Sequence, residues 1–97
     1  MKPVLFSPQA LNDVDEIWLY IAQDSIRQAD RFIDELQVLC EGKLALFPNM
    51  GRARGYLAKG VLAFPHHRYM IYYRNRKKAL EIVRIMHGSV DVESVFG

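Results

Sequence analysis

Apolar residues recur every three or four positions through the first half of the chain, with polar residues between them. This spacing is the period of an amphipathic helix. Ser7 precedes a proline and predicts the start of a first helix that runs to about Gln23, because serine caps helices and proline suits their first turn. Asp24-Ser25 supplies a second cap, and the longer helix after it ends at Pro48. Two helices joined by about three residues predict an antiparallel hairpin.

The second half changes to the pattern of β-strands, with short runs rich in aromatic and β-branched residues. These runs predict three strands, at 61–64, 67–74 and 79–87. Pro65 ends the first of them, and a polar turn joins the other two as a hairpin. Another apolar run, from Pro3 to Phe6, predicts a short strand ahead of the first helix. The chain is therefore predicted to be an α+β domain, with the helical hairpin packed on an antiparallel sheet.

The last predicted strand is apolar on both faces, which suits a central strand. Strict alternation gives one face Leu80, Ile82, Arg84 and Met86, and the other Val83, Ile85 and His87. On the strand before it, Arg68 and Arg74 share a face with Met70 and Tyr72.

Composition narrows the class of protein. The chain has 97 residues, of which 51% are hydrophobic and 25% charged, so a single ordered domain is expected. No apolar run approaches the ~20 residues that cross a bilayer, and the N-terminus lacks the features of a secretory signal. Cys40 is the single cysteine, which excludes a disulfide framework. A cytoplasmic protein is the default expectation.

The net charge of +2 conceals an asymmetry between the two halves. Residues 1–48 sum to −4 and residues 49–97 to +6. A basic C-terminal surface would suit a polyanion or an acidic protein partner, whereas a solvated surface with chance clustering is the alternative.

Motifs for most chemistry are absent. The sequence has no Gly-rich phosphate loop, no nucleophile elbow and no His/Cys metal spacing. His66 and His67 are adjacent, so they are predicted to point to opposite sides of a strand, and neither a metal site nor a cofactor is expected. Glu81 is predicted to pair with a neighbouring arginine.

The remaining polar candidates lie on the strands and in one loop. Arg84 needs an anionic partner if it is partly buried, either a carboxylate on the first helix, a ligand or another chain. His87 ends a strand just before Gly88, so it either bonds to the backbone or serves a function. The loop before the second strand carries three cations, which either form a basic rim with those at 76–78 or are only solvated: Arg52, Arg54 and Lys59.

These elements together resemble the RelE/ParE superfamily of bacterial type II toxins, and most closely its ParE branch. The resemblance covers nearly the whole chain, so residues 1–97 are expected to form a single ParE-like toxin domain. Its carriers, in order, are Asp13, Ile17 and Tyr20-Ile21, then Ala29 and Phe32, the turn Pro48-Asn49-Met50-Gly51-Arg52, Phe64-Pro65, Arg68-Tyr69, the strand Ile71-Tyr72-Tyr73-Arg74, and the closing stretch from Glu81 to Gly88 with Asp91 beyond.

The resemblance implies a helical hairpin on a twisted, mostly antiparallel sheet. It also implies a growth inhibitor of the plasmid-stabilisation type, neutralised by a ParD-like antitoxin whose extended tail wraps the toxin. The ParE branch implies DNA gyrase as the target, and the RelE branch implies ribosome-dependent cleavage of messenger RNA. The residues expected to contact protein partners are Arg52, Arg54, Lys59, Arg68, Arg74, Arg84 and Phe96.

Residue chemistry favours the gyrase branch. RNA cleavage needs a group that activates the 2′-hydroxyl, a group that protonates the leaving oxygen, and cations for the phosphate. His87, with Arg68 and Arg84, would be the catalytic set of a ribonuclease. Residues 88–93 nevertheless hold no basic residue and no tyrosine. Val90 also departs from the family that the chain resembles, which often has an arginine just before the aspartate of the closing stretch, here Asp91. We therefore expect a gyrase inhibitor without catalytic residues or sequence-specific nucleic-acid binding. The alternatives are a ribonuclease and a non-toxic interaction domain.

Overall fold

The structure is a computed structural model that describes residues 2–96. Its strands and helices follow in the order β1 (Val4–Phe6), α1 (Pro8–Ala22), α2 (Ile26–Val38), a π-helical turn (Leu39–Leu44), a 3₁₀ turn (Pro48–Met50), β2 (Arg52–Ala53), β3 (Val61–His66), β4 (Tyr69–Asn75), β5 (Leu80–His87) and α3 (Val92–Phe96). None of the helices in this part of the chain has the length and hydropathy to cross a bilayer.

The five strands form one sheet in the order β1-β5-β4-β3-β2. Strand β1 runs parallel to β5, and every other pair is antiparallel. Helices α1 and α2 pack on one face of this sheet. The predicted α+β fold, with its helical hairpin and mostly antiparallel sheet, is confirmed.

Local capping starts both helices where the sequence predicts. The Ser7 hydroxyl accepts from the Ala10 N–H at 3.0 Å, and the Ser25 hydroxyl accepts from the Gln28 N–H at 3.1 Å. The indole N–H of Trp18 donates to Asp30 at 2.9 Å and so ties α1 to α2 across the hairpin.

The second helix is not continuous to Pro48 as predicted. Helix α2 ends at Val38, and the chain then widens into a π-helical turn in which the Ala45 N–H donates to the Cys40 carbonyl at 3.0 Å. The wider turn brings both Cys40 and Leu44 fully into the core.

Three strands differ from the prediction. Strand β4 runs from Tyr69 to Asn75 rather than over 67–74, because His67 and Arg68 form the turn before it. Strand β3 continues through Pro65 to His66. Proline is tolerated there because β2 pairs only with Leu62 and Ala63, which leaves the rest of β3 at the sheet edge. Strand β2 was predicted as loop, since two exposed residues are too few to show a pattern.

A β-bulge overturns the predicted alternation along β5. Tyr72 pairs with Arg84 and Tyr73 with Ile82, so Val83 is an extra residue without a partner on β4. The alternation changes phase at this point. Side chains of Ile82 and Ile85 therefore pack on the same helix-facing core, whereas Met86 packs on the opposite face.

The face of the sheet away from the hairpin has a smaller core. Its buried residues are Leu57, Val61, Ala63, Tyr72 and Met86. Helix α3, which the sequence did not predict, covers part of it, and the ring of Phe96 lies 5.5 Å from that of Tyr72.

The turn before β2 is built around one tyrosine hydroxyl. Tyr73 donates to the Pro48 carbonyl and accepts from the Gly51 N–H at 2.9 Å. A Cβ atom at residue 51 would overlap this hydroxyl. The Pro-x-x-Gly spacing of the turn is thus explained by contact with a strand 22 residues away.

Candidate functional site: a cleft beside the helical hairpin

A cleft of about 610 Å³ opens between the helical hairpin and the end of the sheet where β5 finishes. We call it the hairpin cleft. Its aromatic side chains are Tyr20, Phe32 and Tyr69, and its polar ones are His67, Arg68 and His87. The rings of Phe32 and Tyr69 meet edge to face, with centroids 5.3 Å apart. The site is therefore a cleft lined by aromatic side chains, with polar side chains at its rim, one of them the cation Arg68.

The turn between β3 and β4 shapes the rim. Because His66 pairs with Tyr69, the connection consists of His67 and Arg68 alone. His67 has a φ of 56°, the positive value that a two-residue hairpin turn requires at its first position.

The predicted opposition of the two adjacent histidines is wrong. The positive φ of His67 turns its ring back, so the ring centroids of His66 and His67 lie 4.6 Å apart, both near Phe32. His67 Nε2 lies 3.4 Å from a carboxylate oxygen of Glu35. Within residues 2–96 no three side chains of the types that bind metal ions come together.

His66 is partly buried against α2. Its Nε2 is enclosed and has no hydrogen-bond partner among the described residues. Burial lowers the pKa of His66 below its ordinary value, and the neighbouring His67 adds to this effect, while Glu35 opposes it. A hydrogen bond with the Phe32 backbone also opposes the lowering of the pKa, and the effect of burial is the largest of the four.

We expect acid to destabilise the protein through His66. Because its folded pKa is lowered, the unfolded chain takes up the proton first as the pH falls. This contribution to stability is complete above the unfolded pKa of about 6.5 and is lost below it. Melting temperatures between about pH 7.5 and 5 should fall less for His66→Phe than for wild type, with His87→Gln as the control, because His87 is not among the groups that shift the pKa of His66. Equal losses in wild type and His66→Phe would contradict this account.

His87 bonds to the backbone, one of the two outcomes that the sequence left open. Its Nδ1 accepts from the Ser89 N–H at 3.1 Å and lies 2.8 Å from the Ser89 hydroxyl. A neutral ring bound in this way carries its proton on Nε2. The ring also meets Tyr69 edge to face at 5.4 Å, and burial raises the pKa of Tyr69.

Arg84 forms the internal ion pair that was one of its predicted alternatives. Its Nε and Nη2 donate to the two oxygens of Asp13 at 2.8 and 2.9 Å. Asp13 also accepts the Ile85 N–H at 2.9 Å, because β1 stops at Phe6 and leaves this edge of β5 without a strand. The hydrogen bond to Asp13 raises the pKa of Arg84. The guanidinium is thus held by the fold, with its side chain 26% exposed.

The other predicted contact residues do not share one surface. Arg74 donates to the Lys59 carbonyl at 3.1 Å and lies 3.6 Å from Glu81, which also pairs with Arg76, as predicted for this carboxylate. Arg68 lies in the hairpin cleft, at the opposite end of β4 from Arg74.

The remaining four candidates lie elsewhere, and one of them, Lys59, is exposed two residues before β3. Arg52 is exposed on β2, and Arg54 follows it, with its side chain bonded to the Ala53 carbonyl. Phe96 packs on the face of the sheet away from the hairpin. Phe96, predicted from the sequence as a partner contact, therefore folds back onto its own domain.

Two residues that line the cleft were not predicted from the sequence as site residues. Phe32 belongs to the apolar stripe of α2 and looked like ordinary core. Tyr20 is 69% exposed, and a large aromatic on the polar side of an amphipathic helix was the available signal.

Comparison with known proteins identifies the family of this chain. Residues 4–92 match the family described as "ParE toxin of type II toxin-antitoxin system, parDE". Toxin ParE1 of Caulobacter vibrioides is 32% identical over an alignment of 98 positions that spans all of both chains. The chain belongs to the ParE toxin family.

Three solved structures share the fold of this ParE-family chain. A chain of the chromosomal ParDE system from P. aeruginosa superposes with a TM-score of 0.66 at 22% identity, covering 90% of this chain and 96% of its own. YafQ from E. coli gives 0.56 at 18% identity over the whole of both chains. A chain of the YoeB-YefM complex from Staphylococcus aureus gives 0.51 at 20% identity, covering 90% of this chain and 97% of its own.

Proposed function

We propose that this chain is the toxin of a ParDE-type pair, that it stops growth by binding DNA gyrase in the cytoplasm, and that a ParD-like antitoxin neutralises it. The observation that carries the proposal is the family match over residues 4–92, supported by full-length similarity to Toxin ParE1. In this proposal residues 1–97 act as one toxin domain, of the kind used in plasmid stabilisation, and need neither metal nor cofactor.

We propose that the antitoxin binds in the hairpin cleft. Its aromatic floor suits the apolar side of an amphipathic segment, and an exposed tyrosine at the rim is typical of protein interfaces. Arg68 at the rim suits a carboxylate of that segment. Of the seven contact residues predicted from the sequence, we assign the antitoxin's charged contact to Arg68.

A ribonuclease is the second candidate, because Arg68, Tyr69 and His87 line one cleft. Arg68 could neutralise a phosphate, but His87 could act as a general acid only with both ring nitrogens protonated, and its Nδ1 already accepts the Ser89 N–H. Arg84, the third predicted member of the catalytic set, already neutralises Asp13. The segment 88–93 also adds no cation for RNA. These points favour gyrase as the target.

We expect the purified chain to inhibit DNA supercoiling by gyrase, or to accumulate cleaved DNA, with no ribosome present. Adding the antitoxin should reverse the effect. His87→Ala should keep this activity, since we give His87 no catalytic role. If the chain instead cuts message on translating ribosomes and His87→Ala lowers that cleavage by about 10²-fold, the ribonuclease candidate is right.

A further inference from the structure

A second apolar surface lies in the connection between the π-helical turn and β2. Leu46 is 51% exposed, Phe47 61% and Met50 43%. Three large apolar side chains this close together in one short connection are more than the scattered exposed residues of an ordinary surface. We call Leu46, Phe47 and Met50, with the two lysines described next, the connection-end surface.

The surface includes a cleft of about 630 Å³ with cations on its walls. Leu46, Pro48 and Pro3 supply apolar lining, and Lys2 and Lys78 supply the charge. Lys2 is fixed in place, because its ammonium donates to the Asn75 side chain and to a backbone carbonyl, both at 2.7 Å. A cation held in this way loses little further freedom on meeting an anion.

Charge around this end of the molecule is one-sided. Residue 2 and the segments 41–50 and 75–81 carry five basic side chains and two acidic ones. One of the two acids, Glu81, is already paired with Arg74 and Arg76. Arg76 is therefore neutralised internally, whereas the four lysines of this group form no salt bridge among residues 2–96: Lys2, Lys43, Lys77 and Lys78.

The connection-end surface is far from the hairpin cleft. Strand β4 begins at Tyr69 in the hairpin cleft and ends at Asn75 in the connection-end cleft. Six residue steps of a strand span about 20 Å. A segment seated in one cleft therefore leaves the other open to a different partner.

We propose that the connection-end surface docks an acidic, amphipathic segment of the protein that this toxin inhibits. Apolar side chains of the segment enter the cleft between the side chains of Leu46 and Pro48. Its carboxylates pair with Lys2 and Lys78. Charge complementarity selects the occupant, and the antitoxin is assigned to the other cleft. This inference rests on the proposed function, because it requires a protein target.

The test uses two full-length double variants with the same change in charge. Leu46→Ser/Lys78→Glu alters the connection-end surface. Leu11→Ser/Arg27→Glu is its control, since Leu11 is 54% exposed and both control residues lie outside the two clefts. Each is expressed without antitoxin to measure growth inhibition, and each is purified to measure antitoxin affinity and melting temperature. We expect the first variant to lose growth inhibition by about tenfold or more, with antitoxin affinity and melting temperature close to those of the control.

Four outcomes overturn the inference. The Leu46→Ser/Lys78→Glu variant could stay as toxic as its control, or it could lose antitoxin affinity in parallel with toxicity, which would assign the surface to the antitoxin. Wild type could bind vesicles of phosphatidylglycerol and lose that binding in the variant, which would assign it to a membrane. A wild-type chain that never inhibits growth removes the proposed toxin function as well. A toxic chain that leaves purified gyrase unaffected rejects gyrase alone and leaves the docking surface standing.

Discussion

Asp13→Ala is expected to lower the free energy of unfolding by about 3–5 kcal/mol, a large share of the stability of a domain this small. Asp13 is 6% exposed and accepts three hydrogen bonds, two from Arg84 and one from the Ile85 N–H. Removing the carboxylate leaves a partly buried guanidinium and a buried backbone donor without an acceptor. Urea denaturation followed by circular dichroism measures the loss.

Asp15→Ala is the matched control, because Asp15 is exposed on the same helix and makes no ion pair among the described residues. We expect it to change stability by less than about 0.5 kcal/mol. Similar costs for the two variants would show that the Asp13–Arg84 pair does not stabilise the fold.

Gly51→Ala is expected to destabilise the protein by about 1–3 kcal/mol, through crowding. The added methyl group would overlap the Tyr73 hydroxyl, so the tyrosine must move and give up its bonds to Pro48 and Gly51. Thermal and urea denaturation measure the effect. Gly42→Ala is the control, because a Cβ at Gly42 meets nothing within 4 Å.

A double-mutant cycle with Tyr73→Phe isolates the cause. Tyr73→Phe already removes the hydroxyl and both of its hydrogen bonds, so Gly51→Ala should cost less in that background than in wild type. Strictly additive costs would mean that the crowding comes from the ring carbons Cζ and Cε1, which lie 2.8 and 2.9 Å from the added Cβ and remain in Tyr73→Phe, rather than from the hydroxyl.

Sequence patterns predicted those parts of the fold that depend on neighbours along the chain. The caps at Ser7 and Ser25 are local, and the structure confirms them. The amphipathic pattern of α1 is confirmed only in part, because Leu11 is 54% exposed whereas the charged Asp13 is buried. The bulge at Val83 depends on the register against β4, so no pattern within β5 could reveal it. The π-helical turn at 39–44 likewise depends on packing against the sheet, so the pattern of its own residues does not predict it.

The site was predicted in part for the same reason. Arg68 and His87 were chosen from the sequence because they are polar residues on apolar strands. Their meeting with Phe32 and Tyr20 brings together α1, α2 and the ends of two strands, which only the tertiary fold can do. The ion pair of Arg84 was predictable as a need for an anion, although Asp13 lies 71 residues away.

Pairing of β1 with β5 also bears on how the chain folds during synthesis. Strand β1 can pair only after β5 has been synthesised, because Val4 pairs with Leu80, which lies 76 residues later in the chain. Closing so long a loop is slow compared with forming the helical hairpin, which emerges from the ribosome first. Until residues 80–87 have been translated, the hairpin has no complete sheet to cover its apolar stripe, and His87 is not in place to line the cleft. A chain that stops before residue 87 therefore cannot present the finished hairpin cleft, and that surface exists only once residues 80–87 have been added to the sheet.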